Sequence, residues 1–429
     1  MRRFAFLISF ALLSEGAAAA PVDRTSVARA FRDARQLCEG DGGKLWGVSL
    51  CGPIVVVDAG TREAVASGPD PDGLFTADGA IYRGTLPKAI GLANYSFSWK
   101  KESWTMLLAP LPDSRLERDR LMLHELWHHV QARLNFPQRD EGNAHLDQPM
   151  GRTWLRLEWR ALDAALRSTG RSERIRRVED ALLFRDMRRS LFAAAAREEG
   201  ALEMHEGLAE YTGTRLAASR RSDRVRLSRQ GLLRVEQNDS YVRSFAYGSG
   251  PAWGLLLDQI DPNWTRQIRS TDDLGDRVRG ALKLNTSSNL VGESSRRASR
   301  YAGESVVSEE MQRSNRRGRE RRAFEQRFVL GAILILPLRQ MQMQFDPRQV
   351  RPFHLGGNIY PSITVSDVWG RIEVRGGALI SGDWKRMIVS APENSSLNRT
   401  PDWKLELEKG WTIVKGDRAG DFTLRPPSP

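Results

Sequence analysis

The chain has 429 residues, 40% of them hydrophobic, and a formal net charge of +12 at pH 7. That length can bury a sizeable core and suggests two or three domains. After the first twenty residues no segment approaches the ~20 consecutive apolar residues of a membrane-spanning helix. The positive charge lies in runs such as 171–189 and 296–322, interleaved with acidic residues and without a nucleic-acid motif. This pattern describes solvated helical faces, able to meet an anionic surface, rather than a nucleic-acid partner.

Residues 1–20 read apart from the rest. Arg2 and Arg3 precede a short apolar run, Phe4 to Leu13, and the small residues Ala17 to Ala20 end at Pro21. This is the pattern of a secretory signal peptide, with an apolar run too short to span a bilayer. The expectation is a secreted or periplasmic protein, where Cys38 and Cys51 would pair as a disulfide.

Residues 21–40 predict a helix with Val27, Ala30, Phe31 and Ala34 on one face. Short strand-like runs follow at Leu45 to Leu50, Ile54 to Asp58, Leu74 to Phe75, Ala80 to Arg83 and Trp104 to Ala109, separated by Gly, Pro and Asp. A helix capped by Asp113 or Ser114 then runs to about Leu134, with Pro137 beyond its end. A loop with Gly142, Pro149 and Gly151 leads to helices over Thr153–Ser168, Ser172–Arg189 and Leu191–Ala218, and Gly250 and Pro251 open another over Ala252 to Gln259. Residues 262–326 are polar and basic, read as helix plus linker. After Phe328 come strand-like runs at Val329 to Leu338, Ile363 to Trp369, Ile372 to Val374, Arg386 to Val389 and Lys404 to Val414, with Gly-Gly turns at 356–357 and 376–377.

The chemistry-bearing motif is His124-Glu125-Leu126-Trp127-His128. Two histidines four residues apart on a helix differ by about 40° in direction, so both imidazoles can reach one cation. Zinc favours such nitrogen ligands in a tetrahedral shell. Glu125 leans to the side, where it can reach a water at the cation without becoming a ligand, as a general base must. A catalytic zinc needs a third protein ligand. The best candidate is Glu206, in His205-Glu206-Gly207-Leu208-Ala209-Glu210-Tyr211, because a carboxylate on a second helix can reach across to the imidazoles; His205 is a rival.

These runs resemble gluzincin zinc metallopeptidases, the group that includes thermolysin-like enzymes, aminopeptidase N and leukotriene hydrolase. The resemblance covers roughly residues 85–260. It implies Glu206 as the third ligand, since the aminopeptidase-like members carry Asn-Glu-Gly there, with His205 standing in place of the Asn. It also implies an oxyanion-stabilising tyrosine at Tyr247, within Tyr247-Gly248-Ser249-Gly250, where those members carry Tyr-x-x-Gly; Tyr211 and Tyr241 compete for the role. The amine-binding Gly-x-Met-Glu-Asn motif of the aminopeptidases has only Gly91-Leu92-Ala93-Asn94 as a counterpart, which lacks Met and Glu. Glu210, one turn after Glu206, is placed to orient a zinc histidine, as Glu158 could be unless it pairs with an Arg. Gln131 is compatible with such a supporting role. His129 points away from the motif's face, and His145 could border the cleft or lie on the surface.

The expected fold is α+β: a β-rich N-terminal part of the catalytic domain over 21–111, a helical zincin domain over 112–262, a polar helical or linker region over 263–326 and a C-terminal β module over 327–429. The expected function is an exported zinc metallopeptidase acting on a peptide or protein. The alternative is a non-catalytic, zinc-stabilised envelope or binding protein.

Overall fold

The computed structural model describes residues 22–139, 142–345, 350–353 and 355–427; the expected signal peptide lies outside them. Its fold is α+β, and the described residues divide into two compact units, one ending at Glu310 and the other beginning at Met311.

In the first unit, Asp23 caps helix α1 (Arg24–Asp41) by accepting from the backbone of Thr25 and Ser26. Val27, Ala30, Phe31, Ala34 and Cys38 form its buried face, and Cys38 is bonded to Cys51. The strand expected at Leu45 to Leu50 is a looped turn instead. Gly43 and Gly47 take positive φ, and Trp46 leaves the chain direction to pack among Trp127, Tyr211 and Trp264. A single tryptophan driven into the helical core outweighs the weak strand tendency of its neighbours.

Six strands follow: β1 (Ile54–Val57), β2 (Glu63–Ala66), β3 (Thr76–Asp78), β4 (Ile81–Thr85), β5 (Tyr95–Trp99) and β6 (Glu102–Leu108). They form one sheet in the order β3-β4-β2-β1-β6-β5, with β1 and β6 parallel and the other pairs antiparallel. Leu74 and Phe75 lie in the approach to β3, where Asp70 accepts the N–H groups of both, so that stretch is a turn rather than the expected strand. Side chains alternate across the sheet: Ile54 and Val56 face the helices, while Val55 and Val57 join Trp99, Trp104 and Met106 on the far side. β5 is an edge strand, paired only with β6.

Helix α2 (Arg115–Gln131), with Ser114 at its N-cap, ends a few residues before the expected Leu134. Pro149 and Gly151 were expected in a loop but belong to helix α3 (Pro149–Arg167), where Pro149 sits at the first turn and loses no hydrogen bond. Helix α4 spans Arg171–Leu191. The helix expected over Leu191–Ala218 is three pieces: α5 (Ala195–Leu202), a π turn over Glu203–Gly207, and α6 (Leu208–Ala217). Helix α7 (Arg221–Glu236) follows, then α8 (Phe245–Leu257), which begins seven residues before the expected start and carries Pro251 inside it.

The region 263–326, expected as helix plus linker, carries α9 (Leu274–Leu282), α10 (Leu290–Ala298) and α11 (Gly303–Glu325), and the boundary between the units falls inside α11. Its polar residues serve as ion pairs: Arg279 meets Asp186 at 2.7 Å, Arg297 meets Asp180 at 2.8 Å and Glu310 meets Arg152 at 2.7 Å. Of these pairs only Arg152–Glu310 is buried on both sides, and most other side chains of the region are exposed or half-buried, as its polar composition implies. No described helix is long and apolar enough to cross a membrane.

The described part of the second unit holds a seven-stranded and a four-stranded sheet. Leu334, Leu336, Met387 and Val389 from the larger and Val365, Ile372, Trp403 and Leu405 from the smaller share one buried cluster. The run Lys404 to Val414 is two strands, Trp403–Leu407 and Thr412–Lys415, parted by a turn in which Gly410 takes φ 89°.

Candidate metal centre

Helix α2 has a buried face that includes Met122, Leu123, Leu126, Trp127 and Val130, and this face carries His124 and Glu125 inward with it. Ser96 of β5 donates to the Glu125 carbonyl at 3.4 Å, tying the edge strand to the helix. The π turn and α6 pack against α2, and Gly213 makes the approach possible: a Cβ there would overlap the Arg120 carbonyl. Three donor atoms meet in this arrangement. His124 Nε2 lies 3.2 Å from His128 Nε2 and 3.4 Å from Glu206 Oε2, and His128 Nε2 lies 3.5 Å from the same oxygen. Among the described residues this is the one group of three whose geometry could hold a metal ion.

The donor set fits zinc. Ligands about 2.0–2.1 Å from a tetrahedral centre stand about 3.3 Å apart, the edge length of this triangle. The opposite ring nitrogens are fixed. His124 Nδ1 donates to Glu210 Oε2 at 2.9 Å, and Glu210 is held in turn by Arg120. His128 Nδ1 donates to Gln131 Oε1 at 2.7 Å. Each Nε2 therefore turns a lone pair toward the other and toward a carboxylate, an arrangement that needs a positive charge between them.

The electrostatics of the protein groups alone agree. Burial favours the neutral form of His124 and lowers it to about 4. Burial also opposes charge on His128, but hydrogen bonding to Glu206 and its negative charge raise it to about 9. Burial would raise Glu206, yet the hydrogen bonds from both histidines hold it well below the usual carboxylate range. Burial pushes the Glu125 carboxyl up to about 8. Its Oε2 is buried without a hydrogen-bond partner, and the residue lines a cavity of about 210 Å³ together with Tyr95, Ser96, His128, His205 and Glu206. A buried carboxyl oxygen left unsatisfied beside the donor triangle is the kind of perturbed group that clusters at functional sites.

No known family's profile matches the chain, and no curated protein or solved structure is significantly similar to it.

The structure brings His124, Glu125, His128, Glu206, Glu210 and Tyr247 together. Tyr247 stacks on His124 with ring centres 5.6 Å apart, and its hydroxyl donates to Glu206 Oε2 at 2.7 Å. His205 Nδ1 is engaged by Gln131, which leaves this rival outside the donor triangle. Tyr211 hydrogen-bonds Asp258 and Tyr241 the Glu236 carbonyl, so neither competes with Tyr247. Glu158 pairs with Arg185 and Arg188, and His145 bonds Glu199 at 2.8 Å. His129 turns from the metal face toward Gly52. Tyr95 and Ser96 were missed, although the alternation Tyr95-Ser96-Phe97-Ser98-Trp99 is a strand signal.

Tyr247 is positioned by a glycine contact. Gly250 of α8 crosses Gly207 of the π turn, and a Cβ at Gly250 would overlap the Gly207 backbone. Gly250→Ala is expected to cost about 1–3 kcal/mol of stability through overpacking and to lift Tyr247 from Glu206. Thermal unfolding checks the first effect; a wild-type midpoint would mean that α8 does not rest on the π turn.

Proposed function

We propose that this chain is an exported zinc-dependent hydrolase that cleaves peptide bonds, with His124, His128 and Glu206 holding the ion. The observation that carries the reading is the triangle of converging donor atoms with the unpartnered Glu125 carboxyl oxygen beside it. Zinc bound there supplies a Lewis acid for a carbonyl group and lowers the pKa of water towards ~7. Glu125 accepts the proton of the attacking water and passes it to the leaving amine. Glu210 and Gln131 fix the ring orientations of His124 and His128. Tyr247 steadies Glu206 through its hydroxyl.

A peptide substrate is favoured by β5. It is an edge strand beside the cavity, and an extended chain can pair with such an edge through main-chain hydrogen bonds. Export is supported by the pattern of residues 1–20 and by the Cys38–Cys51 disulfide, a bond that persists in oxidising compartments.

The test is metal analysis of the purified protein joined to digestion of a mixed peptide library. One zinc per chain is expected, with cleavage lost on chelation, regained with zinc and absent in His124→Ala. Stoichiometric zinc without cleavage across the library and a wide pH range would leave a zinc-stabilised binding protein in its place.

A further inference from the structure

Gln131 determines where the protons of two histidines sit. Its Nε2 donates to the Phe136 carbonyl at 2.8 Å, and a carbonyl can only accept, so the orientation of the amide is fixed. Its Oε1 then faces His128 Nδ1, which must carry a proton. The same Nε2 also faces His205 Nδ1 at 2.7 Å, and that nitrogen must accept. A neutral His205 consequently carries its proton on Nε2.

Among the described residues that Nε2–H finds no hydrogen-bond acceptor. His205 is 8% exposed, and its Nε2 is buried without a hydrogen-bond partner. Glu206 Oε1, at 3.5 Å, makes no hydrogen bond with it. The ring lies 4.8 Å from that of His128, centre to centre, and lines the same cavity as Glu125 and Glu206. Tyr247 differs in this respect, because its hydroxyl is already given to Glu206. A buried donor without an acceptor is unfavourable unless something arriving in the cavity accepts from it.

We propose that His205 Nε2–H donates to the carbonyl oxygen of the scissile peptide bond as negative charge develops there, with Gln131 holding the ring in the required tautomer. This rests on the peptidase reading above. It makes His205, the residue that departs from the Asn of the resembling enzymes, a neutral donor aimed at the reacting group.

Two measurements on the zinc-loaded full chain test it. Selective ¹⁵N-histidine labelling reports each ring's tautomer by NMR, with the His205 signal assigned by its loss in His205→Phe. The expected state is Nε2–H, and an Nδ1–H ring overturns the proposal whether or not any peptide is cleaved. In kinetics, His205→Phe keeps a ring of similar shape without the donor. It is expected to retain zinc, lose about 10²–10³ in kcat and change KM far less, while His205→Gln restores part of the rate. Wild-type kcat in zinc-loaded His205→Phe overturns the proposal. If that variant does not fold, the loss of the signal in His205→Gln assigns it instead, and the wild-type tautomer still decides. Failure of the peptidase reading itself would appear elsewhere, as zinc-loaded wild type that cleaves nothing or as unchanged turnover in Glu125→Gln.

Discussion

Glu125→Gln is expected to keep its zinc and lose about 10⁴-fold in kcat, the upper end of what a positioned general base contributes. The size of the loss follows from the surroundings. Glu125 is 3% exposed, so bulk water has poor access to take over its proton transfer. Among the described residues its Oε2 has no hydrogen bond that the substitution would break. The amide matches the carboxylate in shape but cannot accept a proton at neutral pH. Glu125 is outside the donor triangle, so metal content should stay at one ion per chain. Metal analysis and kcat on a library-derived peptide check the two halves. Turnover within tenfold of wild type would remove Glu125 from the mechanism.

Arg188→Met should destabilise the fold by about 3–5 kcal/mol, the usual cost of removing one partner from a buried ion pair. Arg188 is fully buried. It reaches Glu158 at 2.6 Å and Glu199 at 2.7 and 2.9 Å, and both carboxylates are fully buried too. Arg185 and Arg189 continue the network through Glu203 and Asp273. Methionine fills much of the volume but leaves the carboxylates of Glu158 and Glu199 short of charge. The sign of the pH dependence follows from Glu199. Burial would raise its pKa, but Arg188 and Arg189 hold it well below the ordinary 4.5. Its stabilisation is therefore full above that value and is lost as pH falls through the folded-state pKa. The gap between Arg188→Met and wild type should accordingly be wide at pH 7 and narrow in acid. Denaturant unfolding at both pH values measures it; a difference below about 1 kcal/mol at pH 7 would mean that water has entered the network and screens it.

The centre of the site was legible in the sequence because it is local. His124, Glu125 and His128 fall within two helical turns, and helix geometry alone fixes their relation. Glu206 was legible only as a pattern of residue types, and its distance from His124 had to come from the fold. What could not be read depends on contacts between distant residues. Gln131 and His205 are 74 positions apart, and nothing local to either reveals that one amide sets the other's proton. The early start of α8 was hidden because Gly248, Gly250 and Pro251 are poor helix formers, tolerated there since Gly250 needs its missing side chain to cross Gly207. The polarity of 263–326 hid one ion pair buried on both sides, Arg152–Glu310, that a composition argument assigns to solvent.

The π turn at Glu203–Gly207 separates two sets of charges. In an uninterrupted α-helix Glu199, Glu203, Glu206 and Glu210 would fall within an arc of about 60° and form a single acidic stripe. Here Glu199 and Glu203 face the arginines of α4, while Glu206 and Glu210 face the histidines of α2. One extra residue in a turn shifts the phase of the following helix by about 100°, enough to divide the stripe between two neighbours. A single helical segment thus anchors itself in one charged network and presents ligands to another. Wound as ordinary α-helix with the same sequence, the segment would bring the two sets back into phase, and the carboxylates that neutralise the arginines would then crowd those of the donor triangle.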